Sequence, residues 1–168
     1  MQRRTLLTLG AAASVVLLVA GGTAALMQPG LKQGALSGSG REVFSAVGSA
    51  VLDKTLPADH DARQIALNGL LARIDVLISA LPPHAQTELA QLLSLLASAP
   101  GRRALAGLAT AWPEASIADV QEALQGMRLS SLVLRQQAYA ALHDITAGAY
   151  FSDSSSWPLL GYPGPVKI

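Results

Sequence analysis

Apolar residues recur along this chain at intervals of three and four, the period of a helix that buries one face. The clearest stripe is Leu67, Leu70, Leu71, Ile74, Leu77 and Ile78, and Arg63, Asn68, Arg73 and Asp75 keep off it. Asp59 or Asp61 is placed to cap that helix, where a carboxylate meets unpaired N–H groups and the positive end of the helix dipole. Leu81-Pro82-Pro83 ends it. Upstream, Arg41 to Asp53 carries Phe44, Val47 and Val51 on one face. Downstream, His84 to Ser98 carries Leu89, Leu92, Leu93 and Leu96, and Pro100-Gly101 breaks the run. Arg102 to Leu108 predicts a short helix, followed by a loop that Trp112 anchors in the core. Ser116 with Asp119 three residues on has the form of a capping box. It opens a helix carrying Ile117, Val120, Leu124 and Met127. Ser130 or Ser131 is expected to cap a last helix, buried along Leu134, Ala138, Ala141, Leu142 and Ile145.

No stretch alternates with period two between turn residues, so no strand is expected. The pattern predicts an all-α fold: one small bundle of five or six helices over residues 41–150. Residues 28–40, QPGLKQGALSGSG, are glycine-rich and read as a linker without regular structure. The Gly-Ser-Gly within it follows no strand and lacks the Gly-Lys-Ser/Thr ending of a phosphate loop.

Both ends of the chain depart from this pattern. Residues 1–27 begin with Arg3 and Arg4, after which no charged residue appears until Lys32. A basic start, an apolar middle and small residues near Thr23-Ala24-Ala25 are the parts of an export signal. As one helix, Thr5 to Leu26 would span about 33 Å, enough to cross a bilayer as an anchor. Cleaved signal and retained anchor stand side by side as readings, and each places the body outside the cytoplasm with the arginines inside. At the other end, Tyr150 to Pro165 reads YFSDSSSWPLLGYPGP and holds four of the seven aromatic residues, three prolines and two glycines. Proline fixes its own φ and biases the preceding residue towards extended geometry, so residues 151–168 are expected to form an extended tail. Phe151, Trp157 and Tyr162 either fold back over the bundle or dock on another protein. Extended segments rich in Trp and Tyr suit docking, because they lose little entropy and fill pockets well.

Composition narrows the chemistry. Apolar residues make up 51% of the chain and charged residues 14%, an apolar excess that the N-terminal segment helps explain. The formal charge is +1, with no clustered basic face, so no nucleic-acid partner is expected. There is no cysteine, which excludes disulfides, thiol catalysis and Cys-ligated metals. His60, His84 and His143 show no paired-ligand spacing. His143 and Asp144 are neighbours on a helix, so their side chains are expected to point about 100° apart. Ser152, Ser154, Ser155 and Ser156 belong to no Gly-x-Ser-x-Gly elbow. Asp75, Glu88, Asp119 and Glu122 read as exposed helix-face charges. The chain therefore offers no catalytic, cofactor-binding or metal-binding residue to nominate, and an enzyme is not expected.

Two resemblances add to this reading. Arg3-Arg4 followed by Leu6-Leu7 resembles a twin-arginine (Tat) export signal, Ser-Arg-Arg-x-Phe-Leu-Lys, with Gln2, Leu6 and Thr8 as departures that leave the Sec route open. The C-terminal stretch is similar to the ending of the small-subunit family of gluconate 2-dehydrogenase and related membrane-bound sugar dehydrogenases. Tyr150, Phe151, Asp153, Trp157, Gly161, Tyr162, Pro163, Gly164 and Pro165 carry that likeness. The resemblance implies an accessory subunit without a cofactor of its own. Its partner would be a large FAD-dependent subunit of the glucose–methanol–choline oxidoreductase type, oxidising a sugar, sugar acid or polyol. A cytochrome c subunit would pass the electrons on. It further implies a periplasmic site at the inner membrane, and export of the folded flavoprotein with this chain through the Tat translocase. The matched C-terminal residues would then be the partner-binding strip. The rival expectation is a membrane-anchored helical adaptor or chaperone unrelated to any flavoprotein.

Overall fold

The computed structural model describes residues 29–164 of the chain. Those residues form an all-α domain of six helices with one small hairpin: α1 Gly38–Val51, α2 His60–Ser79, α3 Pro83–Ala97, α4 Ala99–Leu105, α5 Ile117–Arg128 and α6 Val133–Phe151. Arg3, Arg4, Leu6, Leu7 and Pro165 lie outside the described residues. Among the described residues no helix is long and apolar enough to cross a membrane.

α1 is the centre of the bundle and packs against α2, α3, α5 and α6. Its sequence explains why four neighbours fit. Val43, Phe44 and Val47 are fully buried, while Gly48 and Ala50 let other helices approach closely. A Cβ on Gly48 would lie 2.7 Å from Leu70 Cδ2. Around α1 close Leu70, Ile74 and Ile78 of α2, Leu93 and Leu96 of α3, Val120 and Met127 of α5, and Leu142 of α6, all essentially without solvent exposure. Each such side chain contributes about 1.5–3 kcal/mol of burial. The expected stripes thus face the core, with Leu77, Leu92, Ile117, Leu134 and Ile145 half-buried at its edges.

The caps follow local chemistry. Asp59 caps α2, its carboxylate accepting from Ala62 N at 2.9 Å. Ser116 and Asp119 form the reciprocal capping box of α5. Trp112 is buried and its indole Nε1 donates to Leu96 O at 2.8 Å, which anchors the α4–α5 loop on α3.

Four expectations fail locally. The expected linker 28–40 is not structureless over its described residues, 29–40. β1 Leu31–Lys32 pairs antiparallel with β2 Ala35–Leu36, in register Leu31↔Leu36, and α1 already begins at Gly38. The hairpin turns through Gln33 (φ 54) and Gly34 (φ 78), the positive-φ pair that a two-residue loop requires. Its glycines serve close packing: a Cβ on Gly40 would meet Gly30 O at 2.3 Å, and one on Gly30 would meet Leu93 Cβ at 2.3 Å. Ser37 Oγ accepts from Gly40 N and caps α1. Asp75 is no free surface charge either. It pairs with Arg41 and accepts from Leu36 N at 2.7 Å, so it clamps the hairpin to α1 and α2. Pro100-Gly101 does not interrupt the chain between helices but sits in the first turn of α4, where a proline costs no hydrogen bond. Finally, neither Ser130 nor Ser131 is the cap residue of α6. Leu132 holds that position without a side-chain cap, and Ser130 Oγ accepts from Leu132 N at 3.1 Å.

Candidate functional site

The C-terminal segment is built on the end of α6. That helix runs through Tyr150 to Phe151, and the chain then turns into a 3-10 helix over Ser154–Leu160. The extended tail expected from the prolines is therefore replaced by a compact turn. The φ that proline imposes lies within the 3-10 range, so Pro158 can sit inside a short 3-10 element even though it ends an α-helix. Gly161, at φ 66, closes the turn in a left-handed conformation.

Asp153 organises the start of this turn. Its Oδ1 accepts from Ser155 N at 3.0 Å, and its Oδ2 lies 3.1 Å from Arg73 NH1 of α2. The Ser155 backbone N–H, then the Ser155 hydroxyl and the Arg73 charge, hold the Asp153 carboxyl below its ordinary pKa. Arg73 also donates from Nε to Ala149 O at 2.9 Å, so one guanidinium ties α2 to both the last turn of α6 and the segment beyond it. Ser156 is buried and donates to Asp153 O at 2.7 Å.

The aromatic residues pack mainly on one another. Trp157 Nε1 donates back to Phe151 O at 2.9 Å. The Trp157 and Tyr162 rings meet edge-on, 5.3 Å between centroids, and Gly164 is buried against the Trp157 ring. Tyr150 and Phe151 form a second edge-on pair at 5.2 Å. Tyr150 leans on the core, whereas Phe151 and Tyr162 stay open to solvent, at 39% and 47% exposure. Pro163 and Gly161 are exposed beside them. Of the strip Tyr150, Phe151, Asp153, Trp157, Gly161, Tyr162, Pro163 and Gly164, the structure gathers all eight into one latched unit. Only Tyr150 joins the bundle core.

A second feature lies on α2. Ile65 and Val76 of α2 are 72% and 71% exposed, unusual for large aliphatic side chains. With Gly69 and Ala72 they follow an i, i+4, i+7, i+11 spacing, a stripe on the solvent side of the helix. Arg73, on the same helix, reaches the C-terminal segment. The spacing was readable in the sequence, but the stronger stripe on the opposite face of α2 obscured it.

Elsewhere, a shallow cleft of about 380 Å³ has Leu71, Trp112 and Val120 at its floor and Arg41, Glu42 and Ser45 at its rim. His143 and Asp144, expected to diverge, meet instead: Nδ1 lies 3.1 Å from Asp144 Oδ1, and the imidazole stacks on Tyr139 at 5.4 Å. Both are surface residues whose terminal atoms curl together above the helix, which Cβ directions alone do not forbid. Among the described residues, no group of three or more His, Asp or Glu side chains is placed to hold a metal ion. Comparisons with models of known families, with curated proteins and with solved structures found no match to this chain.

Proposed function

We propose that this protein is a non-catalytic small subunit of a periplasm-facing, FAD-dependent dehydrogenase that acts on a sugar, sugar acid or polyol. Its work is to mature the flavoprotein subunit and carry it through the Tat route by means of Arg3, Arg4, Leu6 and Leu7. The cofactor FAD belongs to the partner, and a cytochrome c subunit completes the electron path at the inner membrane.

One observation carries the reading. The C-terminal segment holds Phe151 and Tyr162 outward on a turn fixed by Arg73, Asp153 and the Trp157 indole. Ring anchors held in one geometry bind with little entropic cost, and aromatic side chains dominate the energetics of many interfaces. The exposed Ile65 and Val76 of α2 offer a further apolar surface for a partner. The resemblance of the C-terminal segment to the small subunits of gluconate 2-dehydrogenase is what suggests the partner class.

The test is to isolate the chain gently from its host's envelope and record the absorption spectrum of what accompanies it. A flavin spectrum with a large companion polypeptide is expected, lost when Phe151 and Tyr162 are both changed to Ser. Replacing Arg3 and Arg4 by Lys should strand the flavoprotein in the cytoplasm. A colourless preparation of this chain alone, repeated in mild detergent, overturns the reading in favour of an anchored helical adaptor.

A further inference from the structure

The turn between α5 and α6 breaks two local rules at once. Leu129, Leu132 and Val133 are 69%, 61% and 63% exposed within five residues of chain. Leu132 also occupies the cap position of α6 and makes no side-chain cap, although Ser130 and Ser131 stand directly before it. A Ser or Asp cap is worth about 0.5–2 kcal/mol over an apolar residue, so this arrangement forgoes stability to hold aliphatic side chains outward. An exposed aliphatic cluster of this kind marks a contact site.

Charge identifies what the cluster contacts. From Ala123 to His143 there is no acidic residue, while Arg128 ends α5 beside Leu129 and Arg135 stands in the first turn of α6. Arg135 Nε donates to Leu105 O at 2.7 Å and its head lies against Gly107 and Gly126, in a cleft it shares with Asp119 and Glu122, so it props the turn against α4 and leaves the exposed Arg128 as the cation beside the cluster. An exposed apolar turn with a flanking cation suits the surface of an anionic bilayer: the aliphatic groups enter the acyl boundary and the Arg128 guanidinium meets lipid phosphates. A second copy of the chain fits less well, because a two-fold contact through this tip brings Arg128 against its own copy. We propose that the α5–α6 turn is a peripheral membrane-docking tip for anionic phospholipid, independent of the N-terminal segment and of the flavoprotein reading.

The chain contains no cysteine, so Ser131→Cys can carry a polarity-sensitive fluorophore at a single site in the full-length protein. With vesicles of equal phosphatidylglycerol and phosphatidylcholine the emission should shift to the blue and be quenched by nitroxide lipids. A label at Asp61→Cys, at the start of α2, should do neither. Arg128→Gln should weaken the signal about five-fold, the effect of one cation at an anionic surface, and Leu132→Gln with Val133→Gln should abolish it. Binding of the chain to vesicles while the label at position 131 stays water-exposed would overturn the proposal and assign attachment to residues 1–27. A blue shift that grows with protein concentration in the absence of vesicles would overturn it in favour of self-association.

Discussion

The two tryptophans make nearly the same hydrogen bond and lead different lives. Trp112 donates to Leu96 O at 2.8 Å, and Trp157 donates to Phe151 O at 2.9 Å. Trp112 is 2% exposed and belongs to the core shared by the helices. Trp157 is half-buried and packs against Tyr162 and Gly164 of its own segment. In one place the indole bond lies within the core; in the other it fixes a local turn at the surface. The bundle is therefore expected to unfold as a unit, while the C-terminal segment opens at lower cost.

The largest test of that contrast lies in α1. Phe44→Ala should lower unfolding free energy by about 3–5 kcal/mol in urea titrations, since the ring is fully buried at the helix junction. A loss below about 1 kcal/mol would show that the core is not organised around α1. Next, Trp112→Phe keeps an aromatic ring but removes the donor to Leu96 O and part of the buried ring volume, costing at least about 1–3 kcal/mol.

Arg73→Met separates the two regions directly. It removes the bond to Ala149 O and the pair with Asp153, both partly exposed, so global stability should fall by no more than about 1 kcal/mol. Hydrogen exchange should accelerate at Ser155 and Ser156 while the amides of Val43 to Val47 stay protected. Equal acceleration in both places would mean that segment and bundle are one cooperative unit.

The smallest effect is a pH response. The Asp153 carboxyl is held below its ordinary pKa, chiefly by the Ser155 backbone N–H, with further help from the Ser155 hydroxyl and Arg73. Its contribution is complete above the ordinary aspartate value of about 3.9 and is lost as pH falls through the lowered value of the folded protein. In that acid range the indole N–H resonance of Trp157 should move and that of Trp112 should not. Loosening that begins at higher pH would point to another group as the latch.

Much of the bundle was legible because helix periodicity and capping are local. Phe44, the Leu67–Ile78 stripe and the Ser116–Asp119 box need only their own neighbours in sequence to be recognised, and each lies where its spacing places it. The site was legible as a strip of residue types, not as a shape. Prolines and glycines suggested an extended tail, but they also suit a 3-10 turn once Arg73, 76 residues before Ala149, binds its carbonyl. The hairpin over Leu31–Leu36 escaped notice for a related reason: glycine density signals either looseness or tight packing, and only the approach of Gly30 to Leu93 distinguishes them.

By itself, then, the sequence determined the all-α class, the inner faces of the helices, the buried Trp112 and the aromatic character of the C-terminal segment. Those properties follow from periodicity and side-chain chemistry within a few turns of chain. Only the tertiary structure decided that Asp75 clamps the hairpin, that Arg73 latches the segment to α2, and that Phe151, Tyr162, Ile65, Val76 and the Leu129–Val133 turn remain uncovered. Exposure and long-range hydrogen bonds depend on which distant surfaces meet, and a one-dimensional pattern does not contain that information.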